Sequence, residues 1–457
     1  VKLADAQRIL ARSYGFSSWP KLIAEVETPL LLAQMREAIE YGRIATLDKL
    51  LKKHKVLRNQ INEPMFAFDS PPLVRAMGHT MWRELVPVLL KYGADPNIRT
   101  KWWAGSFSAL DQATDPQAVQ MLLEAGASWD VWSASKHGEV DVLSKLLAEN
   151  PELVNAPGGD GQRPLHVAKT VEVAKLLVQN GADLEVRDID HESTPAMYQI
   201  DNLPVLRFLL DCSAKPDAFM AVVLDDEVVL AKAIALDPNA LTRTVGLPPF
   251  KPEKSDGGDI YNYKIGVGIS PLILAAIRGS KKVLPKLLEG ASPGDRAYFA
   301  AWKEDESEVR RLLSEHNNLP ETYSGDATNA ISLAAEKNRG RVCELLVFAG
   351  FDPEVLSPNG GTSLHNAAWH GNADAVRALA KHVSLSIRDS QFNGRPLDWA
   401  VHGSQFCRNP AGDYPGCVQA ILEVGKEVGW DLGETEQLLK LAGKNEAIKQ
   451  LIRSYSE

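Results

Sequence analysis

Cysteine is scarce in this chain. Cys212, Cys343, Cys407 and Cys417 are the only four in 457 residues. They are too few and too scattered for a disulfide framework, so a reducing, cytoplasmic setting is expected. Long apolar runs are also missing. No stretch approaches ~18 uninterrupted apolar residues, so no bilayer-spanning helix is expected. Positive charge is in deficit: 50 lysines and arginines against 59 acidic residues leave a formal net charge of −9. That balance argues against general nucleic-acid binding, which needs cations to displace phosphate counterions. No G-x-S-x-G elbow, phosphate-cradling glycine loop or H-E-x-x-H pair occurs, so no catalytic residue and no cofactor are assigned. The opening "VKLADAQRILARSYGF" is amphipathic and studded with charge, unlike the three-part build of a secretory leader. Val1 stands where an initiating Met would, and whether the chain starts here is left open. The rest of the composition, 45% hydrophobic and 24% charged, is that of an ordinary globular protein.

What the chain does have is a period. "LLKYGADPN" ends one unit and "MLLEAGASWD" the next, with Gly93 and Gly126 one ~33-residue step apart. The ending returns as "KLLVQNGADLEVRD", "RFLLDCSAKPD", "KLLEGASPGD", "ELLVFAGFDPE" and "AILEVGKEVG". A second landmark opens the units: "SPPLVRAM", "GQRPLHVAK", "STPAMYQ", "ISPLILAAIRG", "TSLHNAAWHG" and "GRPLDWAVHG". Other units close on a Pro- or Asn-rich stop, as in "NPELVN" and "LDPNAL". Counting both endings gives about twelve helix pairs between Leu30 and Lys426.

The special residues explain the local structure. Ser or Thr before "PL" is placed as an N-cap, and Pro in the first turn loses no hydrogen bond because that N–H is unpaired anyway. Small residues such as Ala334-Ala335 and Ala367-Ala368 let neighbouring first helices approach. "EVAKLLVQNG" carries the 3.6-residue apolar stripe of a second helix, and the glycine after it suits a left-handed C-cap. One such pair cannot bury its apolar face alone; stacking does it.

On "GQRPLHVAK…VEVAKLLVQNGADLEVRD" and "GGTSLHNAAWHGNADAVRAL" the chain resembles the ankyrin-repeat family over nearly its whole length. The resemblance implies an all-α solenoid of about twelve helix-turn-helix repeats with hairpin fingers and helical end caps. "LADAQRILARSYGFSSWPKLIAEVE", "PLDWAVHGS" and "GDYPGCVQAIL" are similar to segments of bacterial ankyrin proteins, which implies a prokaryotic source. The expected layout is an N-terminal cap over residues 1–29, repeats over 30–241, an inserted loop at 242–268, repeats over 269–432 and a cap over 433–457. Phe16, Trp19 and Leu22 are expected to be buried against the first repeat. Three stretches break the period: residues 99–110, with Trp102 and Trp103 near a finger tip, residues 242–270, and residues 403–416 between the helices of one repeat. Loops of that length in a compact fold are usually functional or disordered.

The resemblance also sorts the side chains. His166 and His365 belong to the "TPLH"-type motif, where such a histidine bonds neighbouring backbone and staples one repeat to the next. Residues ending each first helix point into the family's concave groove. They are Glu40-Tyr41, Met77, Lys136-His137, Ile277-Arg278, Trp302-Lys303, Glu336-Lys337, Trp369-His370 and Val401-His402. Neighbouring repeats place these about 10 Å apart, the usual helix-packing distance. Trp302, Lys303, Arg278, Trp369, His370 and His402 are therefore candidate partner-binding residues, with Trp102 and Trp103 from the long finger, because tryptophan is enriched where partners dock. The structural alternative has Trp369 covering a hairpin base, and Trp399 reads as core.

The leading functional expectation is a non-catalytic module that captures a protein or peptide in the groove. The alternative is an enzyme or a receptor for a small molecule or glycan. In it Trp369, His370, Asp398, His402 and Asp413 form a polar pocket with an aromatic wall, lidded by the loops at 242–270 and 403–416. A His–carboxylate pair suits general acid–base work, although Asp398 also reads as the cap of its own helix. No metal is expected. Cys407 and Cys417 near His402 are too far apart for a C-x2-4-C knuckle, and Asp225, Asp226 and Glu227 read as a solvated turn.

Overall fold

The computed structural model describes residues 3–456 apart from Pro358 and Arg408. Val1, Lys2 and Glu457 of the expected end caps therefore lie outside the described residues, as does Arg408 of the 403–416 insertion. Among the described residues no strand forms; extended backbone pairs only in two isolated bridges, Phe66 with Ser70 and Arg99 with Ser108. The described residues form twelve helix pairs, from Trp19–Glu40 with Ile44–Lys53 to Pro396–Phe406 with Tyr414–Val428. In one pair the first helix shrinks to a 3-10 turn, Pro164–Val167, because Thr170 already caps the second helix of that repeat.

The local signals act as their chemistry requires. Ser270 accepts from the Ile273 amide to cap Pro271–Arg278, and Thr362 accepts from His365 to cap Ser363–His370. Each such cap is worth roughly 1 kcal/mol. Gly93 and Gly126 take φ of 95° and 97°, in the left-handed region where a Cβ is disfavoured. Asp225 also sits there, at φ 47°. Its carboxylate accepts from the Lys281, Lys282 and Val283 amides, while Asp226 caps Glu227–Leu236. The acidic run is thus a backbone clasp rather than a plain solvated turn.

The chain forms two compact units, Val1–Lys215 with Pro252–Ile260, and Pro216–Lys251 with Tyr261–Glu457. In the first, Leu47, Leu51, Leu73, Leu85 and Leu89 are fully buried, each contributing about 1.5–3 kcal/mol. In the second, Ala334, Ala335, Ala367, Ala368 and Ala400 are fully buried where first helices of neighbouring repeats meet.

Buried histidines tie neighbouring repeats in both units. His166 Nδ1 accepts from the Arg163 amide at 3.0 Å, which leaves its Nε2–H to donate to the Ser193 carbonyl of the next finger at 3.1 Å. His365 repeats the arrangement with the Thr362 amide and the Gly394 carbonyl, each at 3.1 Å.

The insertion at 242–270 divides between the units. Phe250 and Tyr261 pack on Phe219 with ring centroids 5.2 and 5.4 Å away, and the Tyr261 hydroxyl donates to Asp217 at 2.7 Å. Residues 254–260 instead lie along the finger at 188–193: the Lys254 amide donates to Glu192 and the Ile260 amide to the Ser193 hydroxyl. The end caps also depart from expectation. Trp19–Glu40 is one helix that runs through Pro29, so residue 29 is no boundary. Leu22 is buried, but Phe16 and Trp19 are only half-buried. Residues 403–406 prolong the helix Pro396–Phe406: Gly403 stays in the helix, since it is not among the glycines that take a left-handed φ.

The histidine geometry fixes a titration behaviour. Burial pushes the His166 pKa down to about 4, against ~6.5 for a free imidazole. The unfolded chain takes up this proton first, so the stabilisation is complete above pH ~6.5 and is lost as pH falls toward 4. Buried Asp111 and Asp217, pushed up to about 6, act in the opposite direction, so the effect is read at the residue and not from a melting curve. The His166 ring signals should stay those of a neutral Nε2–H imidazole from about pH 8 to about pH 5.5 by NMR; a midpoint near 6.5 would contradict the staple.

Candidate functional site

In the second unit, the helices Ser363–His370 and Pro396–Phe406 come together because Gly403 has no side chain. A Cβ there would overlap the carbonyl oxygen of Trp369. The close approach builds a run of aromatic rings. Trp399 packs edge-on to His365 at 5.3 Å and to Trp369 at 6.0 Å. Trp369 meets His402 at 5.7 Å, and His402 meets Phe406 at 4.4 Å. Beside these rings is a cavity of about 600 Å³, which Trp369, His370, Asp398, Trp399 and His402 line in part. Four of the five residues expected to share a pocket do so.

Asp413, the fifth, is not among the lining residues. Its carboxylate accepts from the Gly416 amide at 2.8 Å and caps Tyr414–Val428. Among the described residues, none from 242–270 or 403–416 lines the cavity, so the described parts of these loops do not lid it. The remaining walls were not foreseen. Leu438 and Leu441 come from the terminal helix Thr435–Leu441, and Gln391 and Phe392 from the preceding finger. Phe392 is 76% exposed; an aromatic at a finger tip, in "SQFNG", was the signal available in the sequence.

The polar groups are largely committed to the scaffold. Asp398 completes a capping box with Arg395 and takes a two-pronged ion pair from its guanidinium, both contacts at 3.0 Å. Arg395 is itself buried and donates to the Leu432 carbonyl at 2.7 Å. The Asp398 hydrogen bond raises the Arg395 pKa, so the guanidinium stays charged. Asp389 accepts the Trp399 indole N–H at 2.9 Å and three amides of its own finger, from Gln391, Phe392 and Gly394. These bonds hold its carboxyl below the usual range against the cost of burial, which acts the other way.

His370 faces the cavity, and burial lowers its pKa, which favours the neutral ring. Cys407 has its Sγ 3.7 Å from His370 Nδ1. The thiol sits at the C-cap of Pro396–Phe406, and His370 ends its own helix.

The other expected groove residues lie elsewhere. Trp302 is only 4% exposed. It packs on Tyr298 with ring centroids 6.3 Å apart, and the guanidinium of Arg339, from the next repeat, lies 5.8 Å over its ring. Trp302 is therefore core, because its neighbour covers it, and not an exposed anchor. Lys303 is exposed beside a separate concavity with Phe299 and Leu288. Arg278 is exposed at the end of Pro271–Arg278. Trp102 and Trp103 belong to the first unit. Trp102 packs edge-on to Phe68 at 4.9 Å, and Trp103 remains 58% exposed.

The family model for ankyrin repeats in three copies matches residues 331–429, the segment holding most of this cavity, and the single-repeat model matches residues 160–189. The chain is an ankyrin-repeat protein. Among curated relatives, the ankyrin repeat protein nuc-2 of Neurospora crassa is 30% identical over 40% of this chain and 17% of its own length. Human NF-kappa-B inhibitor alpha is 26% identical over 43% of this chain and 50% of its own. The chain thus spans half or less of the length of these relatives. Among solved structures, the human ASB11 ankyrin repeat domain aligns over 65% of this chain and 97% of its own at 19% identity, with a TM-score of 0.26. A chain of the complex between a predatory endopeptidase from Bdellovibrio bacteriovorus and an immunity protein aligns over 39% and 97% at 22% identity, with a TM-score of 0.25. No helix among the described residues is long and apolar enough to cross a membrane.

Two substitutions test this packing. Trp302→Ala should destabilise the second unit by about 3–5 kcal/mol in urea unfolding, the cost of a large core cavity; a change below about 1 kcal/mol would place the ring on the surface. Gly403→Ala gains up to about 1 kcal/mol of helix propensity but must push apart two helices, so a net loss of about 1–2 kcal/mol is expected. Net stabilisation would show that the helices have room to spare.

Proposed function

We propose that this ankyrin-repeat protein captures a partner protein by taking one of its apolar side chains into the cavity beside Trp369, Trp399 and His402. The observation that carries the reading is the combination of a walled, aromatic-lined cavity with exposed aromatics around it. Phe392 lines the cavity and is largely exposed, and Phe406, edge-on to His402, is 61% exposed. Exposed large aromatics rimming a pocket are a common mark of docking sites. The ion-paired Asp398 and the anchored Trp399 hold the wall in shape before any partner arrives, which reduces the ordering cost of binding. The expected groove anchors Arg278 and Lys303 and the finger tryptophans are not needed by this reading.

A second reading has one observation in its favour. A volume of about 600 Å³ falls in the roughly 300–1,000 Å³ range of small-molecule sites, so a metabolite or glycan is the alternative occupant.

Peptides selected by phage display against the full chain provide the test. Their affinity should fall at least about tenfold on combining Phe392→Ser with His402→Ala, two exposed positions, and stay unchanged on Trp103→Ser; a hot-spot residue is worth that much or more. Helical circular dichroism should be the same for all variants. Equal binding to wild type and the double variant would remove the proposal. A thermal-shift metabolite hit that the double variant loses, with no peptide selected at the cavity, would establish the second reading in its place.

A further inference from the structure

The first unit holds a cluster that neither the fold nor the proposed capture site explains. Asp160 lies in the tight turn "GGDG", and Asp190 and His191 lie in the next finger, "RDIDHES". His191 Nε2 is 3.9 Å from Asp160 Oδ2 and 3.9 Å from Asp190 Oδ2. One ligand atom from each residue falls within 4.8 Å of the other two. The side chains are only 12–18% exposed.

An internal comparison shows that the repeat does not require these side chains. Counted from the stapling histidines, "DGQRPLH" at 160–166 corresponds to "NGGTSLH" at 359–365, and "RDIDHES" at 187–193 to "RDSQFNG" at 388–394. The backbone agrees. The Gly158 amide donates to the Gln162 carbonyl at 2.8 Å, as the Ser357 amide does to Gly361 at 2.9 Å. Asp188 accepts from the Ser193 and His191 amides at 2.7 and 2.9 Å, and Asp389 accepts from Gly394 and Phe392 at 2.7 and 2.6 Å. The structural aspartate is thus shared. At the three other positions the second unit has Asn359, Gln391 and Phe392, and the same finger pair forms around them.

We propose that Asp160, Asp190 and His191 bind a divalent transition-metal ion of the zinc class. The chemistry of the donor set and its support point the same way. Zinc bonds to imidazole nitrogen and carboxylate oxygen at about 2.0–2.2 Å, so two of its ligands are at most ~4.2 Å apart. Both His–Asp pairs already meet that limit. His191 Nδ1 lies 2.8 Å from the Gly258 carbonyl, a bond that places the proton on Nδ1 and leaves Nε2 as the donor atom facing the carboxylates. A ligating histidine is commonly oriented by such an outer bond. Asp190 Oδ1 is held by the Ser255 hydroxyl at 2.9 Å. Both outer contacts come from the insertion at 242–270, whose returning strand of chain orients two of the three ligands. Three protein ligands leave a fourth zinc position for water or a partner's side chain. The ion would join the 160 turn, the 188–193 finger and residues 255–258.

The test uses the full chain, stripped with EDTA, dialysed and titrated with zinc chloride in a calorimeter. One equivalent of zinc should bind, raise the melting temperature and shift the His191 Nε2 resonance. The variant D160N/D190Q/H191F places in the first unit the residue types that the second already carries, so it should fold normally and take up no zinc. Should it fold poorly, His191→Phe alone, which keeps both carboxylates, is expected to weaken binding at least about tenfold. Failure of the stripped wild type to bind zinc would overturn the proposal, as would binding undiminished in the variants.

Discussion

In two of the repeats a single hydrogen bond does more to position this protein's surface than its size suggests. The Nε2–H of a buried imidazole reaches the backbone carbonyl of the next finger, from His166 to Ser193 and from His365 to Gly394. Because Nδ1 is already taken by an amide of its own repeat, the tautomer is fixed and the bond can point only one way. The receiving finger is stiffened by its own aspartate, Asp188 or Asp389, which accepts the turn amides. These two fingers are therefore held from the preceding repeat, and the side chains at their tips are delivered to a defined place.

The two units use that scaffold differently. In the second, the finger tip carries Gln391 and Phe392, which form part of the wall beside Trp369, Trp399 and His402. In the first, the equivalent tip carries Asp190 and His191 facing Asp160, and residues 254–258 of the long insertion lie along it. Apolar tip residues favour capture of an apolar group; ligating tip residues favour a cation. The staple and the structural aspartate are constant, and only the side chains at the tip change.

Much of this was legible in the sequence because it is local or periodic. The caps at Thr362 and Ser270 and the left-handed glycines follow from residue type and offset, and the stapling histidines from the resemblance to ankyrin repeats. The grouping of Trp369, His370, Asp398 and His402 followed from two adjacent repeats in register. What was not legible depends on contacts distant in the chain. Trp302 is buried because Arg339 of the next repeat covers it, and nothing next to Trp302 announces that. Asp413 has the residue type of a site aspartate but spends its carboxylate on a helix cap. Leu438 and Leu441 enter the cavity wall from a terminal helix that read only as a polar cap. The insertion at 242–270 carries no period, so its return to the 188–193 finger could not be placed without coordinates.

The most direct measurement is native-state hydrogen exchange on wild type and on His365→Ala. If the imidazole holds the following finger, losing it should speed exchange across residues 388–402, the finger and helix that bear Phe392, Trp399 and His402, as well as within its own helix. Faster exchange confined to residues 362–370, with the following finger protected as before, would contradict the idea that the stapling histidine fixes the finger of the next repeat.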